Sequence, residues 1–163
     1  MSWVDVAFVF VVCHLVGDYL FQTDFQARHK HGGLTPRNTV ARRALLSHTA
    51  TYTLAFVPAL VWIATTSGLG VLATVGIAAL VFVPHFLQDD GRVVKWWMVD
   101  VKHTDWKAVP GVTVMVDQTM HLVMLFLLAV LGQMFRKVYW DEAEQRPVDL
   151  YVHPDDIILP YSA

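Results

Sequence analysis

Apolar residues along this chain gather into four blocks, running from about Trp3 to Phe25, Ala44 to Thr65, Leu69 to Gln88 and Val112 to Phe135. Each block approaches the roughly 20 residues that a helix rising about 1.5 Å per residue needs to cross a hydrocarbon core. The pattern predicts an all-α protein: a four-helix transmembrane bundle built from two hairpins, with an interfacial segment between helices three and four. Residues 1–138 are expected to form the four-span bundle and residues 139–163 an acidic extracytoplasmic C-terminal arm. The first block lacks a basic n-region and a small-residue cleavage site, so it is expected to be retained as a helix.

What interrupts these apolar blocks is informative. His14 and Asp18 sit four residues apart in the first, His85 and Asp89 repeat that spacing in the third, and Asp117 and His121 reverse it in the fourth. A carboxylate at the centre of a membrane helix costs roughly 2.5 to 3.5 kcal/mol, so each needs a partner. Residues four apart share one helix face, so each pair offers a nitrogen and an oxygen to a common centre. Pooling the blocks gives His14, Asp18, His48, His85, Asp89, Asp117 and His121 as candidate metal ligands. Imidazole with carboxylate suits a divalent transition metal, Zn²⁺ first among them, and the lone Cys13 adds no thiolate set. Asp24 and Asp90 are candidate general bases; Gln22, Gln88 and Gln118 are candidates for orienting ligands or water. The alternative is a ligand-free network in which each histidine donates to a carboxylate and specifies helix packing.

Charge supplies orientation and depth. Hydrophobic residues make up 55% of the chain and charged residues 16%, which is unusual for a soluble globule. Arg28, Lys30, Arg37, Arg42 and Arg43 lie between the first two blocks, and Arg92, Lys95, Lys102 and Lys107 between the last two. The positive-inside rule places these loops in the cytoplasm and both termini outside. All four spans then carry their ionisable residues in the cytoplasmic half. The basic loops are accounted for by topology, and no nucleic-acid partner is expected. Val12 to Asp18 can be laid over Val83 to Asp89, each followed by a polar loop and a helix bearing a histidine, which suggests two hairpins of one orientation.

Other polar residues carry less. His29, His31 and His153 read as solvated, His103-Thr104-Asp105 lacks a nucleophile at a meaningful spacing, and Ser47 points about 100° away from His48 on a helix. Arg92 to Lys102, with Trp96 and Trp97, reads as an interfacial anchor that also has the placement of a lid. From Trp140 onward, acids alternate with Pro147, Pro154 and Pro160, which argues against helix and for an arm docking on its own bundle or on a membrane-protein partner.

The run His14-Leu15-Val16-Gly17-Asp18-Tyr19-Leu20-Phe21-Gln22-Thr23-Asp24, with Ser47-His48-Thr49, His85 to Asp89 and Asp117 to His121, resembles a family of small bacterial and phage integral membrane proteins of unknown function. That resemblance extends to about Phe135 and implies a four-helix fold in the bacterial inner membrane. The motif type also resembles inner-membrane proteins regarded as metal-dependent hydrolases, which implies hydrolysis of a lipidic or amphipathic substrate by analogy. The same residues would serve a proton or metal-ion transporter, or a structural subunit of a membrane complex.

Overall fold

The computed structural model describes residues 2–144, and side chains through residue 132. Seven α-helices and no strand occur among the described residues: α1 Trp3–Leu15, α2 Asp24–His29, α3 Thr39–Ala55, α4 Val57–Ser67, α5 Val71–Asp89, α6 Arg92–Trp96 and α7 Pro110–Glu144. Two π-helical turns extend the framework, Val16–Leu20 after α1 and Trp97–Val101 after α6. The starts are set by local chemistry. Ser2 and Asp5 form a reciprocal capping box at α1, Thr23 and Gln26 form another at α2, and the Asn38 side chain caps α3.

Three helical segments are long and apolar enough to cross a membrane, namely Trp3–Leu20, Val71–Asp89 and Pro110–Gly132. A fourth qualifies if α3 and α4 count as one broken span, bent by 41°. The second apolar block is therefore not the continuous helix expected from Ala44 to Thr65. Helix starts earlier, at Thr39, and breaks at Phe56, because Pro58 has no N–H to donate and its ring crowds the carbonyl four residues back. The fourth block also departs from expectation. Helix α7 runs to Glu144, past the expected boundary at 138, because nothing from Val138 to Glu144 breaks a helix and the first proline is Pro147. The rest of the acidic arm lies outside the described residues.

Helix α1 packs chiefly on α7, α3 on α5, and α5 also on α7. Exchanging the two halves of the chain maps the first of these pairings onto the second, as the internal match of sequence anticipates. One interior end is apolar, with Phe10, Tyr52, Phe56, Leu60, Ile63, Val81 and Leu125 buried together. The outward faces are apolar too, including Phe8, Leu72 and Met115. A surface of that kind has a hydrocarbon solvent or a partner as its natural cover.

Tyr52 lies where the apolar interior gives way to a polar one. A Cβ on Gly17 would meet the Tyr52 ring at 2.6 Å, so the missing side chain lets α1 and α3 approach closely at this level. The π turn begins there. One extra residue per turn re-aims Asp18, consistent with the tendency of π-bulges to occur at functional sites.

The segment between α5 and α7 buries Val94 and Met98 while Trp96 and Trp97 stay exposed. Loop residues 30–38 are laced onto its start. Gly32 donates its N–H to the Asp90 carbonyl at 2.9 Å, Leu34 donates to the Asp90 carboxylate at 2.7 Å, and Arg92 donates to Thr35 at 3.1 Å.

A candidate metal centre

Four side chains from three helical segments converge at the polar end of the interior. Asp18 comes from the π turn after α1, His48 from α3, and His85 and Asp89 from one face of α5, where the four-residue spacing stacks them. His48 Nε2 lies 2.8 Å from Asp89 Oδ2, 3.1 Å from His85 Nε2 and 3.3 Å from Asp18 Oδ1. His85 Nε2 lies 3.0 Å from Asp89 Oδ2 and 3.5 Å from Asp18 Oδ1. All four residues are buried.

These spacings have a simple geometric reading. Donors bonded to one Zn²⁺ at about 2.0 to 2.1 Å in a tetrahedron stand about 3.3 to 3.4 Å from each other. The short edges fall into two overlapping triads that share His85, Asp18 with His48 and His85 and Asp89 with His85 and His121, and each could hold a metal ion. Asp18 Oδ1 and Asp89 Oδ2 are buried and faced by the imidazole nitrogens of His48 and His85 at 2.8 to 3.5 Å. A buried acceptor left without a partner costs about 1 to 3 kcal/mol, and more when charged, and these two could be met by protonated imidazoles or by a metal ion.

A second layer holds this arrangement. The Tyr52 hydroxyl donates to His14 Nδ1 at 3.1 Å, His14 Nε2 donates to Gln118 Oε1 at 2.9 Å, and Gln118 Nε2 donates to Asp18 Oδ2 at 3.1 Å. That chain fixes Asp18 with its other oxygen toward the centre. The Tyr52 ring also lies parallel to His85, with centroids 3.4 Å apart and planes 6° apart. The Gln22 amide nitrogen sits 3.3 Å from both ring nitrogens of His48. Lys30 reaches in from the end of α2 and places Nζ 2.9 Å from Asp89 Oδ1, its side chain only 8% exposed.

The seven expected ligands therefore divide. Asp18, His48 and His85 form one triad, and His85, Asp89 and His121 a second, with His121 Nε2 3.6 Å from Asp89 Oδ1. His14 has both ring nitrogens engaged by Tyr52 and Gln118, so it supports the site and donates no lone pair to it. Asp117 lies 3.7 Å from its helix neighbour His121 and outside the convergent groups. The two expected bases are placed elsewhere. The Asp24 side chain is 92% exposed and faces Arg28, because it opens the surface helix α2. Asp90 is buried, but its carboxylate is spent on the Leu34 N–H and on Arg92 at 2.9 Å. Among the supporting amides, Gln118 and Gln22 touch the site, whereas the Gln88 amide nitrogen reaches the Met120 carbonyl at 3.5 Å.

Two participants escaped the sequence reading. Lys30 counts there as one of five loop cations, and the only hint of its burial is the capping box that turns α2 back toward the bundle. Tyr52, four residues after His48, falls on the same face of α3, a spacing that could have flagged it.

Residues 6–144 match the model of a family described as a protein of unknown function, DUF3307. No curated protein and no solved structure matches the chain.

Proposed function

The chain belongs to the DUF3307 family of unknown function, and we propose from its own geometry that it is an integral membrane protein carrying a divalent transition-metal centre, used for hydrolysis of a lipidic or amphipathic substrate. The observation that carries this reading is the gathering of buried imidazoles and carboxylates at ligand-to-ligand spacing, Asp18 with His48 and His85 and, sharing His85, Asp89 with His121. Charge agrees with it. Asp18 and Asp89 against the one buried ammonium of Lys30 leave a net negative charge, which favours a cation in the site. Zn²⁺ is the first choice for two imidazoles and two carboxylates.

Bound here, such an ion would act as a Lewis acid toward water and toward the scissile group. The chain's own residues do the rest. His48, His85 and Asp89 form the tighter face, with edges of 2.8 to 3.1 Å, while Asp18 stands at the longer edges of 3.3 and 3.5 Å. Asp18, on the looser side of the cluster, would therefore be the residue that accepts a proton from water. Its Oδ1 is positioned to take the proton, and Gln118 keeps hold of Oδ2.

Substrate access is from the polar end. Thr39, Arg42, Arg43, Leu46 and Ser47 line an open groove on the outer side of α3, offering cationic and apolar contacts together. Trp96 and Trp97 are exposed on the neighbouring segment, as suits the level of lipid headgroups. The basic loops support a cytoplasmic position for this end in the bacterial inner membrane, with both termini outside. A conduction path is less well supported, because beyond Tyr52 the interior is filled by Phe10, Phe56, Leu60, Ile63 and Val81.

Metal analysis of the detergent-purified full chain tests the centre. One divalent ion per chain is expected in the wild type, with loss in His48→Ala and His85→Ala variants that keep their helicity. Retention of the ion by both variants would overturn the assignment.

A further inference from the structure

Asp89 divides its carboxylate between two neighbourhoods. Oδ2 faces His48 and His85, whereas Oδ1 faces Lys30 Nζ at 2.9 Å and His121 Nε2 at 3.6 Å. His121 is set up as a donor. Its Nδ1–H is given to the Asp117 carbonyl at 2.9 Å, which leaves the lone pair on Nε2, and that buried nitrogen has no hydrogen-bond partner. Asp117 Oδ1 lies 3.7 Å from the other ring nitrogen, Nδ1, and flanks the ring on that side. A bridging carboxylate with imidazoles on both sides is the arrangement of two-metal sites, whose ions stand about 3.5 to 4 Å apart.

Resting on the metal centre argued above, we propose that Lys30 fills the second cation position, so that its ammonium stands in for a second ion and the chain holds one metal where the donor set would take two. The ammonium is a compact point charge on a flexible stem, which suits it to that role. It is also held in place. Two residues on, the backbone is tied to Asp90 by Gly32, and Leu34 is tied to the Asp90 carboxylate, so withdrawing Lys30 requires breaking the loop's attachment to the end of α5.

The test is metal stoichiometry of the full chain in detergent, loaded with Mn²⁺ and dialysed, with electron paramagnetic resonance as a second readout. Wild type is expected to bind one ion with an uncoupled spectrum. Lys30→Met should bind two with a spin-coupled spectrum, Lys30→Arg one, and Lys30→Met/His121→Ala one again. A wild type that binds none overturns the centre and this proposal with it. One ion in both the wild type and a folded Lys30→Met overturns the Lys30 assignment alone. Should Lys30→Met fail to fold, His121→Ala in the otherwise native chain decides: it must keep its single ion at unchanged affinity, and loss of that ion would make His121 a primary ligand and refute the proposal.

Discussion

Removing the charge of Asp89 while leaving its shape, as Asp89→Asn does, strands the Lys30 ammonium inside the bundle. The pair is buried on both sides, with side-chain exposures of 8% and 1% and an Nζ to Oδ1 distance of 2.9 Å. Breaking a buried ion pair from one side costs about 3 to 5 kcal/mol, because the remaining charge keeps its desolvation penalty and loses its counter-charge. For a domain of this size that corresponds to a fall of about 6 to 20 °C in the thermal midpoint, at about 2 to 4 °C per kcal/mol. Lys30→Met should cost a comparable amount, since it leaves the carboxylate stranded instead. The double variant Lys30→Met/Asp89→Asn strands neither, and should recover more than half of the summed loss. Thermal unfolding in detergent with a chelator present, followed by circular dichroism, isolates the pair from any bound metal. Additive losses in the double variant would show that the two groups do not interact, and would refute the placement of Lys30 inside the site.

Other perturbations reach the supporting layer. Tyr52→Phe removes only the hydroxyl that donates to His14, so it should cost about 1 kcal/mol of stability and leave metal stoichiometry at one. Tyr52→Ala also removes the buried ring stacked on His85 and should cost about 3 to 5 kcal/mol, the range for deleting a buried aromatic. Gly17→Ala would drive a methyl into the Tyr52 ring, so denaturation should show a loss of about 1 to 3 kcal/mol together with weaker Zn²⁺ binding in competition with a chelator. A neutral Gly17→Ala would mean that α1 and α3 do not need their close approach.

Much of this architecture is legible in the chain because a bilayer punishes ionisable residues so heavily. His48, His85, Asp18 and Asp89 stand out as polar positions in apolar helices, and their common depth follows from the loops alone. What could not be read was which lone pairs are free. His14 and Asp18 share the four-residue spacing of His85 and Asp89, yet Tyr52 and Gln118 occupy both nitrogens of His14, and that depends on α3 and α7 packing beside α1. Lys30 was hidden for a different reason. A lysine in a basic loop satisfies the topology rule whether or not it folds inward, so its sequence context carries no mark of burial. The break at Phe56 was marked by Pro58, although a run of apolar residues on both sides reads as one span.

The central claim is that Asp18, His48, His85 and Asp89 together hold one divalent metal ion. X-ray absorption at the metal edge, on the full chain purified without chelator, tests it most directly. The account predicts a first shell of about four nitrogen and oxygen neighbours at about 2.0 to 2.2 Å, with outer-shell scattering from two imidazoles that disappears in a His48→Ala/His85→Ala variant. A shell of oxygens alone without imidazole scattering, or protein that carries no metal, would contradict it.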